Sequence, residues 1–359
     1  MTGKLVQTNG LDMLKILEAS MENGASDIIL TSGTAPTLRI DGSLYVLGNR
    51  ALSAEEVKKL AYSVLEKGQI ARFETKKELD FSFTLDNKHR FRANLYMQRG
   101  AVGAVLRLIP TVIPTIDELR LPAILKKIAL APHGLFLITG ATGMGKSTTL
   151  ASMIGEINRN RFAHIVSVED PIEFIHTNDK SVIDQRELGT DTLSFAEALR
   201  HVLRQSPDVI VVGEMRDLET MSAAVTAAET GHLVLATLHT RDTVKSIDRI
   251  IDSFPGPQQN QIREQIAMSL LGVMSQRLFE RPNMKGRIVA TEVLMNTPAV
   301  SNIIRESKTH MLRTVLETSS KQGMYTFEMN LRELVSSGYV HKSDAEAFIG
   351  KSLNLPKEY

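Results

Sequence analysis

Eight consecutive residues carry the clearest chemical signal in the chain: Gly140, Ala141, Thr142, Gly143, Met144, Gly145, Lys146 and Ser147, with Thr148 after them. They fill the pattern G-x-x-x-x-G-K-[ST] completely. Glycines let backbone N–H groups curl around a phosphate chain, and a helix starting at the loop adds positive partial charge. Lys146 can then reach the β and γ phosphates, and Ser147 can ligate Mg²⁺. A glycine turn with no ligand is the competing reading. The complete motif, set between an apolar run and a helical stretch, outweighs it.

Cleaving a triphosphate also needs acids beyond the γ-phosphate. Glu169-Asp170-Pro171-Ile172-Glu173 and Gly213-Glu214 each follow a short apolar run. Parallel strands place ligand-binding groups at those C-terminal ends. One acid can hold the metal's hydration shell while the other orients the attacking water or takes its proton. Alone, such an acid is more often a helix-cap neighbour or a surface charge. His232 and His239 lie seven apart with no Glu between them, too far for a helical metal pair. Their spacing leaves two readings open: structural hydrogen bonders, or a sensor of the γ-phosphate. Arg90, Arg92, Asn94 and Tyr96 share a strand side opposite Phe91, Ala93 and Leu95, and Arg99 and Arg107 follow. They read as a solvated sheet face, or as arginines reaching a nucleotide across a domain or subunit boundary.

The elements that must position these groups are legible in the apolar pattern. Leu135–Ile138, Ile165–Val168, Val209–Val212 and Leu233–Ala236 are nearly all-apolar runs, as in parallel strands covered on both faces. Helices alternate with them: one from about Ser147 to Ile157, one opened by Ser194 and Glu197, one from Asp217 to Gly231. That order predicts a doubly wound α/β core. The first hundred residues differ. A helix over 12–22 and a strand at 26–30 precede a hairpin of Thr37–Ile40 and Ser43–Val46 turning on Asp41-Gly42. Ser53 and Glu56 form a capping box, and alternating stretches run through Phe81–Leu85, Phe91–Leu95 and Val102–Leu106, one turning at Asp86-Asn87-Lys88. This is an α+β domain at 1–109. Pro110 and Pro114 mark a linker at 110–122, the α/β core spans 123–295, and 296–359 reads as helical.

Composition bounds the partners. Lys plus Arg is 42 against 41 for Asp plus Glu, and aromatic residues are 5% of the 359. That near-neutral balance disfavours a nucleic-acid motor, whose groove wants basic and stacking residues. With no cysteine, disulfides and cysteine-ligated zinc are excluded. No signal peptide and no stretch of roughly 20 apolar residues is seen, so a soluble protein touching membranes only through partners is expected.

Four segments together resemble the type IV pilus retraction ATPases (the PilT/PilU type) of the secretion-ATPase superfamily. They are Gly140–Thr149, Val168–Phe174, Gly213–Asp217 and Thr226–His239, matching that family's Walker A, Asp box, Walker B and His box. The resemblance runs from about Leu11 to Leu334. It implies a RecA-like P-loop core with a PAS-like N-terminal domain and a C-terminal helical segment. It further implies Mg²⁺-dependent ATP hydrolysis by a homohexamer, cytoplasmic and peripheral at the inner membrane, acting on a pilus platform protein. Gly140 through Thr148 would bind nucleotide, Glu173 would activate water, and Ser147 and Glu214 would serve the metal. His232 and His239 match the His box, and Arg92, Arg99 and Arg107 lie in the arginine-supplying segment. Assembly ATPases of the superfamily are longer and usually carry a four-cysteine zinc module, so this chain sits on the retraction side. One departure is Ser301 in Ala299-Val300-Ser301-Asn302-Ile303-Ile304-Arg305-Glu306, where the family has an arginine. It leaves open a main retraction motor or an accessory PilU-like member that depends on a paralogue.

Overall fold

The computed structural model describes residues 12–40, 42–86, 89–110, 112–282, 284 and 286–353. The chain divides into two compact units, Met1–Thr111 and Val112–Tyr359.

The first unit begins with α1 (Met13–Glu22), capped by Asp12, whose carboxylate accepts the Lys15 N–H at 2.9 Å. Strands β1 (Asp27–Leu30), β2 (Thr37–Ile40) and β3 (Ser43–Val46) follow, then α2 (Ala54–Tyr62), α3 (Lys67–Lys76), β4 (Glu78–Leu85), β5 (His89–Gln98) and β6 (Ala101–Leu108). Among the described residues they form one antiparallel sheet in the order β3-β2-β1-β6-β5-β4. The hairpin pairs Ile40 with Ser43 across Gly42, whose φ is +82°. Asp41, expected in that turn, lies outside the described residues, as do Asn87 and Lys88. Both arms of the capping box form, Glu56 N–H to Ser53 Oγ and Ser53 N–H to Glu56 Oε2. Alternation puts Phe91, Ala93 and Leu95 against Ile16, Leu17, Val57 and Phe73. Helix α3 escapes sequence reading because Phe73 is the one residue in it that is buried.

The second unit contains α4 (Ile124–Ala129), β7 (Gly134–Thr139), α5 (Lys146–Asn160), β8 (His164–Glu169), β9 (Val182–Glu187), α6 (Phe195–Val202), β10 (Val209–Val212) and α7 (Leu218–Glu229). It continues with β11 (Leu233–Leu238), α8 (Thr243–Asp252), α9 (Gly256–Ser269), β12 (Leu270–Glu280) and β13 (Arg287–Met295). Helices α10 (Pro298–Arg305), α11 (Leu312–Thr318), α12 (Phe327–Ser336) and α13 (Lys342–Ile349) close it. Its sheet runs β13-β12-β7-β11-β10-β8-β9, parallel throughout except β13. The apolar strands serve two cores alternately. Leu135, Ile210, Val212, Val234 and Ala236 face α6, α7, α8 and α9, while Phe136, Ile138, Val209, Val211 and Leu235 face α4 and α5. A run buried on both faces has no polar side to show, which is why these strands read as unbroken apolar stretches.

Residues 116–121, read as linker, contribute buried Ile116 and Leu121 to the α5 side. The C-terminal helices likewise pack inward, with Val300, Ile304, Leu312 and Leu316 joining the other core. No helix among the described residues is long and apolar enough to cross a membrane.

Candidate nucleotide site

The glycine loop leaves the C-terminal end of β7 and enters α5 at Lys146. Gly140, at φ +147°, passes so close to β12 that a Cβ there would sit 2.5 Å from the Gln276 carbonyl oxygen. Gly143 and Gly145 adopt φ of +78° and +83°, left-handed angles that turn the chain into the helix. Gln276 then locks the loop. Its Oε1 accepts the Thr149 hydroxyl at 2.8 Å and its Nε2 donates to the Met144 carbonyl at 2.7 Å. Sequence reading missed Gln276. Gln276 follows the apolar run Leu270–Met274 and is buried beside Ser275, in a strand that also carries Arg277 and Glu280.

Lys146 is buried, and its Nζ donates to the carbonyls of Gly140 at 2.8 Å and Ala141 at 3.1 Å. Burial pulls its pKa below the ordinary lysine value, while the charges of Glu214 and Glu173 act in the opposite sense. Both expected acids therefore exert their field on this ammonium group.

Glu214 follows β10 by way of Gly213, where a Cβ would come within 3.1 Å of the Glu169 Cα. Its carboxylate lies 2.8 Å from Arg216 Nη2 and 3.0 Å from His239 Nε2. Arg216 also lies 3.6 Å from Asp170, and His239 Nδ1 is 3.3 Å from the Thr142 hydroxyl. Burial pushes the Glu214 pKa up, but the Arg216 hydrogen bond and the charges of His239, Arg216 and Lys146 bring it below the usual carboxylate range. Glu214 is thus held ionised. The neighbouring Asp217 is a helix cap, accepting the Thr220 N–H at 2.8 Å.

Glu173 is exposed on the loop after β8, and its N–H donates to the buried carboxylate of Glu169. Ser147, Thr148 and Glu214 are half-buried around the start of α5 and the tip of β10. A hydroxyl and an ionised carboxylate are the hard oxygen donors that Mg²⁺ takes, directly or through water. Among the described residues no group of three or more His, Cys, Asp or Glu forms a metal cage of its own.

His232 stands apart from the glycine loop within this chain. It precedes β11 and so stands at the N-terminal edge of the sheet, whereas the glycine loop and His239 stand at the C-terminal edge. At 3.3 Å per residue the strand separates the two histidines by roughly 20 Å. His232 Nδ1 donates to the Ala227 carbonyl at 3.0 Å and closes the end of α7. Within this chain it is a helix-end hydrogen bonder. The expected arginines all lie in the first unit. Arg107 is engaged by Asp27 at 2.7 Å, Arg92 is exposed opposite it on β5, and Arg99 occupies the β5–β6 turn at φ +48°.

A glycine loop closing on a lysine at one strand tip, with an ionised acid on a nearby tip, defines a P-loop nucleotide-binding protein of the α/β class. Residues 12–345 match the family model described as type II/IV secretion system protein, and the chain belongs to that family. The type IV pilus retraction ATPase PilT of Pseudomonas aeruginosa is 42% identical over 93% of this chain and 97% of its own length. The type IV pilus ATPase PilU of the same organism is also 42% identical, over 96% of this chain and 90% of its own. A crystal structure of the pilus retraction motor PilT with bound ADP superposes with a TM-score of 0.89 at 44% identity, covering 94% of this chain and 97% of that one.

Proposed function

We propose that this protein is an ATPase that drives type IV pilus retraction, and hence twitching motility, as a ring of six identical subunits. One observation supports the hydrolytic site most directly. Thr142, His239, Glu214 and Arg216 form a continuous chain of polar contacts, a hydrogen bond followed by two close ion pairs, from the glycine loop to the β10 tip. In this reading the N–H groups of Gly140 through Thr148 and the Lys146 ammonium bind the ATP phosphates. Ser147 and Glu214 hold Mg²⁺, which supplies neutralising charge to the phosphate oxygens. Glu173 orients the attacking water and accepts its proton. His239, hydrogen-bonded to the loop and 3.0 Å from Glu214, relays the state of the γ-phosphate. Arg92, Arg99 and Arg107 are the candidates for supplying positive charge from the first unit. Residues 1–109 serve as the PAS-like domain, 110–122 as linker, 123–295 as the engine and 296–359 as the C-terminal helical region. The load is an inner-membrane platform protein, reached from the cytoplasmic face.

Steady-state turnover of the purified protein tests this reading. Lys146→Ala and Glu214→Ala each abolish Mg²⁺-dependent ATP hydrolysis, by roughly 10²–10³-fold for the loss of one transition-state charge partner. Turnover retained in both refutes it. Deleting the gene is expected to leave excess, non-retracting fibres; absent fibres would point to assembly instead.

A second reading, an accessory motor that needs a paralogue, is favoured by Ser301. Its Oγ donates to the Ala267 carbonyl at 2.9 Å and lies 2.9 Å from Asn296 Oδ1, so it ties α10 to α9 and offers no cation. Equal identity to PilT and PilU is compatible with both readings. Retraction surviving the deletion but losing force would select the second.

A further inference from the structure

The loop that carries Glu173 is fastened in an unusual way. Its backbone bonds run to side chains of the sheet edge. Ile172 N–H donates to Glu187 Oε2 at 3.2 Å, and Glu173 N–H donates to Glu169. The Phe174 carbonyl accepts Gln185 Nε2 at 2.8 Å, while His176 N–H donates to Gln185 Oε1 at 2.9 Å. One carboxamide therefore satisfies a donor and an acceptor of the same loop, as a neighbouring strand would. Gln185 Nε2 also reaches Glu169 Oε1 at 3.1 Å, and Ser167 Oγ donates to that oxygen at 2.7 Å.

The topology makes this arrangement. In the parallel β8–β9 pair, Ser167 stands beside Gln185 and Glu169 beside Glu187, so all four share one face. Glu187 is buried at 5% exposure, and burial pushes the Glu169 carboxyl up against the hydrogen bonds that oppose it. Desolvating two carboxylates at a strand end is costly, and apolar residues would close that edge more cheaply. The next stretch of loop is fastened to the helix that begins with Lys146. Asn158 on α5 donates to the Thr177 carbonyl at 2.8 Å and accepts the N–H groups of Asp179 at 3.0 Å and Ser181 at 3.2 Å. Glu173 is thus referenced at one end to the strand tips and at the other to the lysine's own helix.

We infer that Gln185 is a positioning residue for ATP hydrolysis, fixing the Glu173 loop through its paired bonds to Phe174 and His176 and its bond to Glu169. This rests on the role proposed above for Glu173. A loop held to a few tenths of an ångström keeps the general base aligned, and misplacement by about 1 Å costs on the order of 10²-fold in rate. Ground-state binding of ATP, carried by the glycine loop, does not depend on it.

The test is a double-mutant cycle on the full-length protein. Gln185→Met, close in volume and without the carboxamide, is expected to lower kcat at least tenfold with KM for ATP and affinity for a fluorescent ADP analogue within twofold. Against a Glu173→Gln background the same change is expected to cost less than twofold further. A purely scaffolding role would lower kcat by the same factor in both backgrounds, and that result overturns the inference, as does wild-type kcat in Gln185→Met. Should Gln185→Met fail to fold, Gln185→Asn, which keeps the amide one methylene short, is measured in the same cycle against the same criteria. If Glu173→Gln alone keeps full turnover, the assignment of Glu173 falls and the inference with it. If Glu173→Gln is inactive while Gln185→Met keeps wild-type kcat, only the inference falls.

Discussion

The two sheets of this protein solve opposite problems. In the first unit, β5 buries Phe91, Ala93 and Leu95 and turns Arg92 outward, and the strand row across that face reads Arg39, Asp27, Arg107, Arg92. In the second, β7, β10 and β11 are buried along their whole length. A strand covered on both sides has no free side chain along its body, so chemistry is confined to its tips. Lys146, Glu214 and His239 all lie just beyond such tips. The open sheet can distribute charge over a face; the closed one must concentrate it at an edge, where partial burial shifts titrations and couples each group to the next.

Three measurements sharpen or break that contrast. The largest effect is expected in the body of the closed sheet. Leu235 is fully buried, and Leu235→Ala should cost about 2–5 kcal/mol in denaturant unfolding. Arg92→Ala on the open face should stay within about 0.5 kcal/mol. Equal losses would mean the two sheets are not differently packed.

Acid sensitivity at the edge comes next. Burial lowers the His176 pKa from 6.5 to about 4. Below the ordinary histidine pKa the unfolded chain takes up a proton that the folded chain refuses. Stability therefore falls as pH drops through this window and levels off once the folded histidine is also protonated. At pH ~5 this one group should account for about 2 kcal/mol, and His176→Gln should flatten the stability profile by that amount between neutral pH and pH ~5. An unchanged slope would show that the edge is wetter than its geometry implies.

The smallest effect belongs to the open face. Arg107 meets Asp27 at 2.7 Å but its side chain is 66% exposed. Asp27 itself is buried, but it keeps the Ser26 hydroxyl at 2.7 Å and Arg39 at 3.9 Å. Arg107→Ala should therefore cost about 1 kcal/mol, with only the part carried by the exposed guanidinium fading in ~1 M salt. A larger, salt-insensitive loss would make this face a desolvated one.

The parts of the fold that were legible before any coordinates are those where local pattern and burial agree. The glycine loop, the four apolar strands, the Ser53 capping box and the alternating strands of the first unit are of that kind. Strand β9 was not legible. Its sequence, Val182-Ile183-Asp184-Gln185-Arg186-Glu187, carries no apolar face because one side is spent on holding a loop. Strands β12 and β13 were missed too, and with them Gln276, whose partners Met144 and Thr149 are more than a hundred residues away. The acids were placed correctly at strand ends. The spacing of His232 and His239 left their roles open, and the family resemblance put both in the His box.

Residue order alone specified the phosphate loop, the alternation of strands with helices and the two-part organisation, because glycine torsions, capping and apolar period act between near neighbours. Which histidine reaches the loop, which arginine is already taken by Asp27, and what holds Glu173 in place were settled only by strand order and direction. Those bring together groups far apart along the chain, and no local preference records which sheet edge a residue will occupy.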